Sequence, residues 1–197
     1  RRSIQVENTA PGAPRIQIRP KRPRVTDALK VVIDRQAKDA DGDSLSYRYD
    51  WSLDGAALDV QRESSTLQAA FAKKHGKLQV VVHAHDGLQE GTAAKAEVTV
   101  LNTLPTAPQV GLMPERPGTK DDLQVQLLTG ASDPDGDVLR YRYRWQKNGA
   151  RVEGPDAATE RIPNALTRKG DRWQVFVRAV DDEGEGPEGQ ASVNVEN

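Results

Sequence analysis

No cysteine occurs anywhere in the 197 residues, which excludes disulfide frameworks, thiolate metal sites and cysteine nucleophiles. Charge of one sign is also missing. The chain carries 28 Lys and Arg against 29 Asp and Glu, a formal net charge of −1. It therefore has no global basic field to hold nucleic acid or an anionic membrane surface. No apolar run approaches the roughly 20 residues of a membrane span, so membrane insertion by this segment is not expected. Histidine is scarce at three residues, and no nucleophile–base pair falls on strand-end loops, so an enzyme is not expected. There is no N-x-[ST] sequon. What is present is polar for a globular chain, 36% hydrophobic and 29% charged. The apolar residues are nevertheless regularly spaced, which argues against disorder.

The chain repeats itself. Asp39, Asp41, Gly42, Asp43, Leu45, Tyr47, Tyr49 and Trp51 recur 94 positions later (39 to 133) as Asp133, Asp135, Gly136, Asp137, Leu139, Tyr141, Tyr143 and Trp145. The same offset carries Asn8 to Asn102, Pro20 to Pro114 and Gly55 to Gly149. By Asp86 and Asp181 it has become 95, which places one extra residue after Gly76/Gly170 in the second copy. The opening SIQVEN (3–8) matches SVNVEN (192–197). Residues 1–8 are therefore expected to be a remnant of the last strand of a preceding repeat. Residues 9–101 then form repeat 1 and 102–197 repeat 2, a piece of a longer tandem array.

Each repeat reads as all-β. ALKVVID (28–34), LSYRYDW (45–51), KLQVVVHA (77–84) and AEVTV (96–100) alternate apolar and polar residues. DLQVQLL, LRYRYRW, WQVFVRA and ASVNV do the same in the second copy, with Gly, Pro, Asp and Asn between the runs. Units of about 100 residues with short alternating strands predict two tandem immunoglobulin-like β-sandwich domains. Leu45, Tyr47, Tyr49 and Trp51 share one face of a strand. That face is expected to point inward, on strand C of such a sandwich.

The aspartate-rich DADGD and DPDGD segments then form the B–C loop, and Asp86 or Asp181 follows strand F. The B–C and F–G loops lie at one end of the sandwich, where the chain also enters. Asp39, Asp41, Asp43 and Asp86 should meet there near Asn8, and Asp133, Asp135, Asp137 and Asp181 near Asn102. Carboxylates so crowded either splay into solvent as an ordinary acidic turn or share a cation. Ca²⁺ takes about six to eight oxygen ligands of this kind. The pattern is not an EF-hand, which needs Gly at loop position six and a bidentate Glu at position twelve.

The run NTLPTAP…SDPDGD…YRW…VRAVDDEG resembles the PKD-like and cadherin-like immunoglobulin-fold repeats of bacterial surface and secreted proteins. In PKD-like modules an Asn at the entrance, the SDPDGD-type loop and the Asp after strand F bind Ca²⁺. The resemblance implies Asn102, Asp133, Asp135, Asp137 and Asp181 as ligands, and Asn8, Asp39, Asp41, Asp43 and Asp86 in the first repeat. The PKD-type W-D-F-G-D run is replaced here by WSLDG and WQKNG.

Other features have plainer readings. GEGPEG (184–189) matches G-x-G-x-x-G, but a strand follows it and not a helix. It is expected to be a flexible, acidic F–G loop. His83 and His85 share a strand face at a spacing that suits zinc, yet their counterparts are Arg178 and Val180. Arg140, Arg142, Arg144 and Arg178 should form a basic ladder, either a solvated face or a grip for an anionic polysaccharide or a partner protein. Phe176 is the one aromatic expected outward on a sheet. The function expected is a calcium-stabilised structural or adhesive segment of a larger extracellular protein, whose partners are the neighbouring repeats and possibly another surface protein or polysaccharide. The alternative is a polysaccharide- or matrix-binding accessory module of a secreted enzyme.

Overall fold

Fourteen strands form in the computed structural model, which describes residues 7–196. The chain divides into two compact units between Thr103 and Leu104. In the first, β1 (Arg15–Arg19), β2 (Leu29–Arg35) and β5 (Thr66–Leu67) make one sheet in the order β1-β2-β5. β3 (Ser46–Leu53), β4 (Ala56–Ala57), β6 (Lys77–His85) and β7 (Ala94–Thr99) make the other, in the order β4-β3-β6-β7. The second unit repeats the plan. β8 (Gln109–Met113), β9 (Leu123–Thr129) and β12 (Arg161–Ile162) form a sheet ordered β12-β9-β8. β10 (Arg140–Lys147), β11 (Ala150–Arg151), β13 (Arg172–Val180) and β14 (Glu185–Asn194) form one ordered β11-β10-β13-β14. All strand pairings are antiparallel. Each unit is an immunoglobulin-like sandwich, as the alternation predicts; β3 and β10 are strand C, β6 and β13 strand F.

The period-2 pattern decides what is buried. Leu78, Val80, Val82 and Ala84 on β6, and Trp173, Val175, Val177 and Ala179 on β13, lie inside with almost no exposure, while their neighbours face out. Leu29 and Val31, with Leu123 and Val125 in the second unit, close each core from the opposite sheet. Each such Val or Leu contributes about 1.5–3 kcal/mol by burial. Trp51 and Trp145 fill the two centres. Trp145 meets Trp173 edge to face at 6.1 Å, worth about 1 kcal/mol beyond area.

Two features of β3 and β10 position the loops. The Tyr47 hydroxyl accepts the N–H of Ala37 at 3.0 Å, and the Tyr141 hydroxyl that of Ala131 at 3.0 Å. The inward strand face thus bolts down the stem of each aspartate loop. At the far end, Asp54–Gly55 and Asn148–Gly149 all have positive φ, the two-residue hairpin turn that links strand C to its short neighbour.

The extra residue of the second unit sits elsewhere than expected. Val31 N–H donates to Ser65 and Val125 N–H to Glu160, so the offset is already 95 there. It is still 94 where Leu58 and Val152 donate to Trp51 and Trp145. The insertion therefore lies in the crossover after β4 and β11, where the second unit winds a 3-10 turn over Pro155–Ala158. His75 then corresponds to Gly170, both at positive φ, and Gly76 corresponds to Asp171. Adjacent glycines at 76 and 170 conceal the shift in the sequence.

Candidate metal centre

Each aspartate loop first organises itself. Asp39 Oδ1 accepts the N–H groups of Asp41 at 2.9 Å and Asp43 at 3.2 Å. Asp133 Oδ1 does the same for Asp135 at 2.8 Å and Asp137 at 3.3 Å. Gly42 and Gly136, at φ 82° and 81°, supply the left-handed residue of the turn. The folded loop draws three carboxylates together in each unit. Oxygens of Asp39, Asp41 and Asp43 all lie within 4.8 Å of one another, as do those of Asp133, Asp135 and Asp137. In both loops the second oxygen of the first aspartate, Asp39 Oδ2 and Asp133 Oδ2, is buried with no hydrogen-bond donor. The second triplet is the more sheltered.

The F–G aspartates have local work as well. Asp86 Oδ1 accepts the N–H groups of Leu88 at 2.7 Å and Gln89 at 2.6 Å, and its Oδ2 accepts the Asn8 amide at 2.9 Å. The Gln89 N–H, then the Asn8 amide, bring its carboxyl from an ordinary 3.8 down to about 2. Asp181 Oδ1 accepts the N–H groups of Glu183 and Gly184, and the residue is buried.

The chain entering the first unit ties both loops together. Thr9 N–H donates to Asp41 Oδ2 at 2.7 Å, Gly12 N–H to Lys38 O at 2.9 Å, and Thr92 N–H to Pro11 O at 3.1 Å. Asn8, Asp39, Asp41, Asp43 and Asp86 thus gather at one end, as the sandwich topology predicts. The 4.8 Å grouping takes in only the B–C triplet, not Asp86 or Asp181. In the second unit Thr106 and Ser132 exchange hydrogen bonds, docking the entering segment on the aspartate loop. Asn102 lies in the first unit, where its carbonyl accepts from the Arg24 guanidinium and its side-chain oxygen from Lys74 at 3.3 Å.

Sequence reasoning passed over the glycines that admit these entering segments. A Cβ on Gly91 would stand 2.3 Å from Pro11 O, one on Gly186 2.4 Å from Pro105 O, and one on Gly189 2.0 Å from Pro108 O. The repetition of Gly91 as Gly186, glycine in an otherwise strand-like run, was the available signal. It also corrects the reading of GEGPEG. From Glu185 onward that segment belongs to β14 and is not a flexible loop, and only 181–184 connect it to β13. Its glycines make room for the entering chain, and Glu185 and Glu188 face the arginines.

Those contacts settle the basic ladder. Arg142 and Arg178 pair with Glu185, Arg144 and Arg178 with Glu188 at 3.1 Å, and Arg140 reaches Asp182 at 3.9 Å. The Arg144 guanidinium, with Arg178, holds Glu188 below the usual carboxylate range against the opposing effect of burial. Phe176 does face outward, but Arg144 covers it at 3.9 Å from the ring centre. Each arginine of the ladder is thus ion-paired, three carboxylates serving four guanidiniums, and Phe176 offers no bare aromatic platform. His83 and His85 lie on one face as expected; His83 Nδ1 is 3.3 Å from Gly91 O, and His85 Nδ1 accepts from Gly87 N–H. Neither joins a group of three metal-ligating side chains among the described residues.

No protein-family model matches the sequence, and no curated protein matches it. Solved structures do. The chain is similar to the FN1–FN3 domains of chicken CNTN1, at 17% identity and a TM-score of 0.40, covering 95% of this chain and 68% of that one. It is similar to a segment of two fibronectin type III domains from chicken tenascin, at 11% identity and a TM-score of 0.47, covering 96% and 100%. A structure concerned with Dscam isoform specificity gives 16% identity and a TM-score of 0.34, covering 97% and 46%. At these values the likenesses carry no argument about function, and the fold stands on the strand order above. No helix among the described residues is long and apolar enough to cross a membrane.

Proposed function

We propose that this chain is a calcium-stabilised structural or adhesive segment of a larger extracellular or cell-surface protein, built from PKD-like or cadherin-like repeats of bacterial type. The observation that carries the reading is the pair of buried, donorless oxygens, Asp39 Oδ2 and Asp133 Oδ2, at equivalent places in the two repeated loops. A solvated acidic turn has no use for a carboxylate oxygen shielded from both water and donors, since each such group carries a desolvation cost of about 1–3 kcal/mol or more. Like charges about 5 Å apart add about 3 kcal/mol per pair at an effective dielectric of about 20, less where water screens them.

A hard divalent cation removes both costs. The donors are carboxylate oxygens only, which favours Ca²⁺ over softer metals. Three oxygens no more than 4.8 Å apart lie within about 2.8 Å of a common centre, close to the roughly 2.3–2.6 Å of Ca–O bonds. Asp39, Asp41 and Asp43 would hold the ion in the first unit, and Asp133, Asp135 and Asp137 in the second. Asp86 with Asn8, and Asp181, would support the loop beside it. Asn102 would then act within the first unit, through Lys74 and Arg24. The ion would fix the loops to which each entering segment is stitched, so its effect is rigidity along the array, and its partners are the neighbouring repeats. The accessory-module alternative, with polysaccharide or matrix protein as ligand, gains no support from an arginine face already engaged in ion pairs.

Thermal denaturation in EDTA and in millimolar Ca²⁺ tests the proposal. The melting temperature should rise with Ca²⁺, and Asp133→Asn should remove the second unit's share of the rise. A melt indifferent to both would overturn it.

A further inference from the structure

We propose that the first unit binds an anionic polysaccharide on the β1–β2 sheet and the turn that joins its two strands. The charge of this chain is unevenly spread. Residues 15–35 carry seven Lys and Arg against two Asp, a net +5, in a chain whose net charge is −1. The equivalent residues of the second unit, 109–129, carry two Lys and Arg against three Asp and Glu, a net −1. The fold therefore does not require the excess. Edge protection does not explain it either. Cations commonly guard an edge strand, yet β8 is an edge like β1 and carries none. Moreover, Lys30 and Arg35 lie on β2, which is central.

The placement of these cations is unfavourable on its own. The register sets Arg19 directly opposite Lys30 and Arg15 opposite Arg35, and like charges so placed destabilise a sheet. The two pairs stand four residues apart on β1, about 13 Å at roughly 3.3 Å per residue. Lys21 and Arg22 follow in the turn, and all six cations are exposed. Among the described residues no ion pair takes up any of the six, whereas each arginine of the β10–β13 ladder has a carboxylate. Asp34 is the one carboxylate on the strands of this sheet, and it accepts the Gln17 amide at 2.6 Å. In the turn, Asp27 accepts the Arg24 N–H at 2.9 Å. A row of unmatched cations on a flat sheet calls for an extended polyanion.

The rest of the face selects which one. β1, β2 and β5 contain no aromatic residue, so no ring offers the stacking platform that single-stranded nucleic acid uses. Val32, between the two cation pairs, is half-buried. It is neither the large anchor of a protein interface nor the apolar face that enters a membrane. What remains is charge and hydrogen bonding. Guanidinium forks grip planar anions such as carboxylates through paired bonds. A linear, hydrated polysaccharide with a carboxylate on its sugars needs nothing more.

Fluorescence anisotropy of an end-labelled galacturonic acid oligomer, titrated with the whole chain in EDTA, tests this. Saturable binding is expected. The variant Arg15→Gln/Arg19→Met/Lys30→Gln/Arg35→Thr carries the residues that the second unit holds at the equivalent places. It should keep its circular dichroism spectrum and lose affinity by at least about tenfold. Lys21→Glu, which matches Glu115 in an exposed turn, should weaken binding without altering a strand. A charge-matched control, Lys95→Gln/Arg116→Gln/Lys120→Gln/Lys169→Gln, removes four exposed cations elsewhere and should stay within about twofold of the parent, since screening confines the effect of distant charges. No binding, undiminished binding by the first two variants, an equal loss in the control, or tighter binding of an oligothymidine of the same charge would each overturn the proposal. Because EDTA is present throughout, none of these results depends on calcium.

Discussion

The two units solve one packing problem with different residues, and exchanging the solutions should expose the coupling. In the first unit Leu53 lies over Gly76, its δ-carbon 2.7 Å from where a glycine Cβ would stand. In the second the same two places hold Lys147 and Asp171, joined at 2.8 Å with side chains only 30% and 11% exposed. Asp171 also accepts the Asn148 amide at 3.0 Å and the Arg168 N–H at 2.7 Å. Asp171→Gly alone strips the acceptor from three donors and leaves Lys147 half-buried, for a loss of about 3 kcal/mol. Lys147→Leu alone drives a leucine branch into the space of the Asp171 Cβ, for a loss of about 1.5 kcal/mol. The double variant restores the first unit's arrangement and should lose only about 2 kcal/mol, part of it the backbone entropy of glycine. The coupling is then about 2.5 kcal/mol in favour of matched pairs. Urea denaturation followed by tryptophan fluorescence reads it, since the second unit contains Trp145 and Trp173 and the first only Trp51. Additivity within about 0.5 kcal/mol would refute the claim that the two positions act as a unit.

Further outcomes follow from the same contacts. Gly189→Val places a Cβ 2.0 Å from Pro108 O and should destabilise the second unit by more than about 2 kcal/mol; a stability unchanged in denaturant would contradict the docking of the entering chain on β14. Asp86 has its carboxyl lowered to about 2, so the stabilisation it gives is complete above about pH 4 and disappears as pH falls through 2. Melting of the first unit should track that window, and Asp86→Asn should flatten the dependence.

The sandwich was legible because its longest strands alternate cleanly. The inward line of Leu45, Tyr47, Tyr49 and Trp51, and the gathering of Asn8, Asp86 and the aspartate loop at one end, follow from period-2 geometry and topology alone. The short strands were not legible. β4, β5, β11 and β12 have two residues each, too few for a period, and their pairing depends on the neighbouring sheet. GEGPEG misled because glycine and proline ordinarily mark loops, whereas here glycine is demanded by backbone passing over the strand. Composition also concealed the ion pairing of the arginines, which depends on the register that sets Glu185 and Glu188 of β14 beside β13. Similarly, Asp39, Asp133, Asp86 and Asp181 read as ligands, but the Oδ1 of each is spent on closing its own turn. Only the folded loop reveals which oxygens are left over.

Calorimetric titration of the chelator-treated chain with Ca²⁺ tests the central proposal most directly. Saturable heat from two sites is expected, reduced to one site by Asp133→Asn, with the remaining one lost when Asp39→Asn is added. Absence of saturable heat up to about 10 mM Ca²⁺, beyond the weakest range of extracellular calcium modules, would contradict it.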